Sequence, residues 1–430
     1  MSGEEVDCVH QARFRLLESV DGTATSSRGG DDELNWTGEG GGAAASATLR
    51  ASPQPSSSSS NATRLEFADE YELLAPLGEG SYGTVWGAVA KRSGETVAIK
   101  RLYRQPFSAS HELERWRRWA APSPQSGPPD CAERERQLVL SIPPHPNLVR
   151  CDACLPWVFS DGSEVPSPQE ILAPDLALIM ERGYSLSSLF CFNGRFIPER
   201  LWLRLIQVVG KALFEALAHL HAHGVVHRDV RLDHVLVRCP PDTLWTALEA
   251  GSVPGPEHFF LCDFSLTRRC CANAAGDGAE SPTLPYAPIR PPEVFFGDTR
   301  RLPSGDIWSA GCVLLELLLR QAGEPVFDCG CGAAMSELRS LSAIFELVGS
   351  PDDSWLTSTD SSSIYAWIQP PRGRQSLLSK RITQCWDVDQ VQGTLDDAID
   401  LIQRLLEFRA ERRPTAVEAL HHPFLHDSGK

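Results

Sequence analysis

Apolar and turn-forming positions alternate from Tyr71 to Lys100 (YELLAPLGEGSYGTVWGAVAKRSGETVAIK), as they do in a twisted antiparallel sheet. The alternation stops over residues 101–130, where HELERWRRWA reads as a short helix and APSPQSGPPD as a loop. Helical spacing runs from Ala132 to Ile142 and is cut by PPHPN, after which LALIM (176–180) reads as another strand. The remainder is mostly helical. Ile206 to His223 and Ile307 to Arg320 predict long buried helices, and residues 396–407 and 415–421 predict two closing ones. The run after Ile307 is too short to span a bilayer and is flanked by Asp306 and Glu316. Residues 239–257 are rich in Pro and Gly and read as an insert. Strands first and helices afterwards predict an α+β fold of two lobes joined near Glu181 to Gly183.

The first 66 residues show no sustained apolar period. Gly38, Gly40 to Gly42, an alanine patch and Ser56 to Ser60 have the composition of a disordered, solvated tail. The N-terminus is acidic and lacks an apolar leader, so secretion is not expected. The expected organisation is therefore a tail (1–66), a first lobe (67–183, with an insert at about 103–128), a second lobe (184–427, with the 239–257 insert) and a short end (428–430). A net charge of −16, from 40 basic and 56 acidic residues, argues against partners held by phosphate neutralisation, so neither nucleic acid nor an anionic membrane is expected. Thirteen scattered cysteines are not a disulfide framework and point to an intracellular address, cytoplasm and/or nucleus. Cys151 and Cys154 form one CxxC without a second pair at zinc-ribbon spacing, and read as ordinary buried thiols.

Candidate chemistry begins at Gly78-Glu79-Gly80-Ser81-Tyr82-Gly83, with Val85 just beyond. Glycines let backbone amides approach phosphates closely, although the same run also fits a glycine-rich hairpin. It lies between strands, which disfavours a dinucleotide site, where a helix must follow. Val97-Ala98-Ile99-Lys100 comes next, its lysine 17 residues past Gly83. Then follow His227-Arg228-Asp229 and, 34 residues after Asp229, Asp263-Phe264-Ser265. Phosphoryl transfer needs one carboxylate to take a hydroxyl proton and another to hold a metal.

In this order the four elements resemble the eukaryotic protein kinases over about residues 70 to 427, a resemblance extended by Pro291-Pro292-Glu293, Asp306-Ile307-Trp308-Ser309-Ala310-Gly311 and Arg413 before Pro414. PDCAERE (129–135) is similar to the PSTAIRE helix of cyclin-dependent kinases. LSAIFELVGSPDDSW (341–355) is similar to the insert of cyclin-dependent and MAP kinases, and Ser81-Tyr82 fits the same group. The resemblance implies transfer of the ATP γ-phosphoryl group to protein Ser or Thr, with Mg2+ or Mn2+ as metal. Asp229 would be the catalytic base, Lys100 (held by Glu135) the phosphate ligand and Asp263 the metal ligand. Residues 78–83, Val85 and Ala98 would surround the nucleotide, Met180 would be the gatekeeper, and Glu181 to Gly183 would meet adenine. Glu293 with Arg413, and Asp306 beneath the catalytic loop, would be structural. Arg134, Arg228 and Arg268 match three arginines that gather a phosphorylated loop residue, here Ser281 or, with a gap, Thr283. A cyclin-like activating subunit is implied as well. Glu133 stands where the PSTAIRE helix has isoleucine, so an unpaired carboxylate is expected to make ordinary cyclins bind poorly.

Three positions depart from the family pattern. Arg231 replaces a lysine and keeps the charge near the transferred phosphate on a planar head. His234 replaces an asparagine that helps bind the second metal, offering nitrogen where magnesium favours oxygen. Asp233, next to it, is expected to point elsewhere. Ser265 replaces a glycine and should bias the loop towards one state. The rival reading is a pseudokinase acting as a signalling scaffold. His234 and the unusual TLPYAPIRPPE segment favour it, while intact Lys100, Glu135, Asp229 and Asp263 oppose it. A third reading puts function on the inserts.

Overall fold

The computed structural model describes residues 70–80, 83–102, 131–157, 176–187, 197–270, 286–298, 300, 302–319, 326–327, 333–352, 355 and 372–426. The chain divides into residues 1–62 and 63–430, and every described residue belongs to the second unit. The expected tail, the HELERWRRWA helix, Ser81, Tyr82, Ser281 and Thr283 lie outside the described residues.

The alternating region forms strands β1 (Tyr71–Gly80), β2 (Gly83–Ala90) and β3 (Thr96–Leu102), joined by β4 (Cys151–Pro156) and β5 (Leu176–Glu181) in an antiparallel sheet of order β1-β2-β3-β5-β4. A strand shows alternate side chains to opposite faces, and the two faces of β3 have different neighbours. Val97 and Ile99 pack with Ala88, Ala177 and Ile179. On the other face Leu102 packs with Leu176, Leu178 and Ala132 of helix α1 (Cys131–Ser141). Lys100 shares the register of that second face and therefore points at α1. Gly83 is needed where it stands, because a Cβ there would lie 2.0 Å from the Arg101 carbonyl oxygen on β3. In β4 a bulge between Cys151 and Ala153 puts both thiols of the CxxC on the α1 side, as packed apolar groups.

Helices α2 (Glu199–Ala222), α3 (Pro241–Glu249), α4 (Pro292–Phe295), α5 (Pro303–Leu318), α6 (Ala333–Leu347), α7 (Leu378–Thr383), α8 (Val388–Leu405) and α9 (Ala416–Leu420) make the second lobe. Small sheets β6 (Tyr184–Ser185), β8 (Val235–Val237), β9 (Phe259–Leu261) and β7 (Val225–Val226), β10 (Arg268–Arg269) carry its loops. From Asp306 to Leu318 every residue of α5 is buried, as expected of a helix apolar all round, and α2 and α8 pack against it. The two-lobed α+β arrangement expected from the pattern is the one observed. Three helices start earlier than their apolar runs suggested. The Pro/Gly-rich insert is partly ordered, with Leu244, Trp245 and Leu248 of α3 buried in the main core.

Candidate functional site

The lysine of β3 and the glutamate of α1 meet because both lie on buried stripes. Ala132, Glu135 and Leu138 recur at helical spacing and are buried. Opposite them, Lys100 donates to Glu135 Oε1 at 2.7 Å, to Asp263 Oδ1 at 2.8 Å and to Ser265 Oγ at 2.9 Å. An ammonium has three hydrogens, and all three are used. Burial opposes charge on Lys100, but Asp263 and Glu135 outweigh it and hold its pKa above the ordinary value. Burial likewise pushes the Asp263 carboxyl up, and Lys100 with His234 overrules it, leaving the group well below the usual carboxylate range.

The catalytic-loop candidates hang from one buried aspartate. Asp306 Oδ2 accepts from the His227 backbone N–H (2.8 Å) and lies 2.9 Å from His221 Nε2, and Oδ1 accepts from the Arg228 N–H (2.8 Å). His227 Nε2 lies 3.1 Å from the Cys262 carbonyl oxygen, and its Nδ1 accepts from the Asp229 N–H at 3.2 Å. Those partners require the hydrogen on Nε2 of a neutral ring, in keeping with burial lowering its pKa. Arg228 (φ 70°) and Asp263 (φ 68°) both occupy the left-handed region that side chains normally avoid, a local strain found at functional sites.

Between these loops lies His234. Its Nδ1 is 2.9 Å from the Asp229 carbonyl oxygen, which can only accept, so Nδ1 carries the hydrogen. Its Nε2 lies 3.5 Å from Asp263 Oδ2. A carboxylate oxygen and an imidazole nitrogen, both ligand types for a divalent cation, face one another there. No group of three or more ligating side chains occurs among the described residues, so a metal here would take its remaining ligands from phosphate or water. Asp229 Oδ1 is buried and has no hydrogen-bond partner.

Arg231 pairs with Asp233 and lies 4.9 Å over the Tyr286 ring. Asp233 is thus spent on Arg231. Burial opposes the Arg231 charge, while Asp233 and then Asp229 sustain it. The hinge candidates follow β5: Glu181 is held by Arg238 (3.0 Å) and by the Arg150 N–H (2.8 Å). Gly183 lies so close to β8 and β9 that a Cβ would meet Phe260 at 2.5 Å and Leu236 at 2.9 Å. Met180 pairs across the sheet with Ala98, and Val85 with Lys100. Gly78, Glu79 and Gly80 pair with Val85, Thr84 and Gly83 at the β1–β2 end of the sheet. Arg413 makes a bidentate pair with Glu293, at 2.8 and 2.6 Å.

Other expectations change. Glu133 is not an unpaired carboxylate: Arg136 and Gln137 donate to it from the next turn of α1. Arg268 donates to the carbonyls of Ser265 and Thr267, and the loop acceptors that it was expected to serve with Arg134 and Arg228 lie outside the described residues. Two functional neighbours were missed. The Ser265 hydroxyl belongs to the Lys100–Asp263 cluster, and only its departure from glycine marked it. Glu316 on α5 is pushed up to about 8 by burial and by Asp233, against Arg231. An acid inside the apolar run that follows Asp306 was its signal.

The protein kinase domain family matches residues 71–425. The chain belongs to the protein kinase family. The kinase is 26% identical over 360 residues to Cyclin-dependent kinase B2-1 of Arabidopsis thaliana, covering 84% of this chain and 94% of that protein. It is 29% identical over 364 residues to Cell division control protein 2 homolog 3 of Trypanosoma brucei brucei (84% and 93%). It is also 28% identical over 354 residues to CTD kinase subunit alpha of Schizosaccharomyces pombe, spanning 82% of this chain and 48% of that protein. These relatives bear out the cyclin-dependent and MAP kinase resemblance. The kinase is a protein serine/threonine kinase that uses ATP and a divalent metal, as its family does, and gives the pseudokinase reading no support.

Proposed function

We propose that this kinase phosphorylates protein Ser or Thr with Asp229 as acceptor base, Lys100 as phosphate ligand and Asp263 with His234 as the metal side. The observation that carries this reading is the unpartnered Oδ1 of Asp229, whose acceptor capacity is unspent and would serve a substrate hydroxyl once neighbouring side chains move off it. Lys100 would exchange its bonds to Asp263 and Ser265 for α- and β-phosphate oxygens while Glu135 keeps it in place. Residues 78–83 would cover the phosphates, Val85 and Ala98 would line the base pocket beside Met180, and Glu181 to Gly183 would meet adenine. Arg231, paired with Asp233, would keep a guanidinium beside Asp229. Placement and charge matching supply most of the rate in such transfers.

A bound divalent ion would neutralise charge on the phosphates. The donors present, a carboxylate oxygen and an imidazole nitrogen, fit it, and nitrogen suits manganese better than magnesium. His234→Asn should therefore raise turnover with Mg2+ and narrow the advantage of Mn2+.

A cyclin-like partner would meet α1 at Glu133. Because Glu133 is held by Arg136 and Gln137, the partner should present a polar pocket. Ser281 or Thr283 remains the proposed loop phosphosite for Arg134, Arg228 and Arg268. The free thiols of the described residues suit a reducing compartment, cytoplasm and/or nucleus. No described helix is long and apolar enough to cross a membrane.

The test is radiolabel transfer to a generic protein substrate by purified protein, with and without cyclins. Asp229→Asn should remove incorporation. Full incorporation by that variant, or none by the unmodified protein under any condition, would overturn the reading.

A further inference from the structure

We infer that Ser265 is a positioning residue that closes one oxygen of Asp263, so that the carboxylate offers the metal a single oxygen, Oδ2. The inference rests on the reading of Asp263 as a metal ligand. Hydrogen positions around Ser265 follow from donor chemistry. Lys100 can only donate, so Ser265 Oγ is the acceptor in their 2.9 Å contact. Of the two carboxylates near the hydroxyl, Glu135 and Asp263, it is Asp263 Oδ1 to which Oγ makes its hydrogen bond. The Ser265 backbone N–H donates to the same oxygen at 3.1 Å.

A carboxylate oxygen has about two lone-pair sites. The hydroxyl and the N–H of Ser265 fill both on Oδ1, even before Lys100 is counted. Both donors sit two residues along the same loop, so they stay when phosphates draw Lys100 away. A glycine at 265 would leave the N–H alone and free one site on Oδ1. Oδ2 instead faces His234 Nε2 at 3.5 Å. With Oδ1 closed, Asp263 cannot bridge two ions, and the nucleotide complex holds one metal tightly.

The experiment counts Mn2+ by electron paramagnetic resonance in the full-length protein bound to a non-hydrolysable ATP analogue. The unmodified protein and Ser265→Thr, which keeps a hydroxyl, should hold one tight ion per analogue. Ser265→Gly and Ser265→Ala should each bind a second ion at least tenfold more tightly than the unmodified protein does. His234→Asn with Ser265 intact should remain at one, which separates the serine from the histidine. Two ions of similar affinity in the unmodified protein, or no gain in either the Gly or the Ala variant, would overturn the inference. Asp263→Asn tests the parent reading. If it leaves the first ion as tight as before, Asp263 is not a ligand and both readings fall. If it weakens that ion while the serine variants change nothing, only the serine inference falls.

Discussion

Two aspartates of this kinase accept several hydrogen bonds each, and they are used in opposite ways. Asp306, in the first turn of α5, spends both oxygens on the scaffold: two backbone N–H groups and His221. Asp263 concentrates Lys100 and Ser265 on Oδ1 and turns Oδ2 towards His234. A carboxylate satisfied on both oxygens by the scaffold is a brace. One satisfied on a single oxygen, and held charged by a neighbouring lysine, is available for chemistry. Backbone strain follows the same division, since each aspartate supports or occupies a left-handed residue: Arg228 beside the one, Asp263 itself in the other.

Substitution should separate the two roles. Asp263→Asn is expected to lower kcat/KM by roughly 10³-fold, a loss on the scale of removing one main electrostatic contact. Its unfolding midpoint should move little, as read by circular dichroism. Lys100→Met should be equally inactive but less stable by about 3 kcal/mol, because Glu135 is then buried without its partner. Asp306→Ala should do the reverse in emphasis. It leaves the His227 and Arg228 N–H groups unpaired and should cost ~3 kcal/mol of stability by denaturant titration. An Asp306→Ala protein with unchanged stability would erase the distinction.

A subtler contrast is a third acid, Glu316, which has no hydrogen bond or ion pair among the described residues. Its folded pKa is raised to about 8 from 4.5, so folding holds a proton that the unfolded chain releases above 4.5. Stability from this group is complete below 4.5 and is lost as pH rises towards 8. Glu316→Gln should therefore stabilise the protein at pH 8 by about 4 kcal/mol and by far less at pH 5. Equal effects at both pH values would contradict it. The smallest effect is expected at the surface: Glu133→Ile should leave the melting temperature nearly unchanged while improving capture by an ordinary cyclin in a pull-down.

How much of this was legible in the sequence depended on whether a residue acts through its own type or through its company. Lys100, Asp229 and Asp263 could be singled out because phosphoryl transfer calls for such groups in that order, and Glu135 through the resemblance of PDCAERE to the PSTAIRE helix. The sheet was legible because two-residue alternation is set by the pleat. Ser265 was seen only as a stiffer glycine, since its bond to Lys100 joins positions 165 apart in sequence and exists only once the fold has brought them together. Glu133 was expected to stand unpaired because a partner-facing position was considered without its own helical neighbours, Arg136 and Gln137. The 239–257 insert was judged by its prolines and glycines, although Leu244, Trp245 and Leu248 at helical spacing were enough to anchor it.

Three bonds on one nitrogen also decide how the pocket meets a covalent drug. An amine attacks an electrophile through its lone pair, and Lys100, protonated and fully bonded, has none to give. Lysine-directed warheads should label the resting protein slowly. Loosening the clamp, as in Glu135→Gln or Ser265→Ala, should speed that labelling, so the rate of adduct formation by mass spectrometry becomes a gauge of how firmly the cluster is closed.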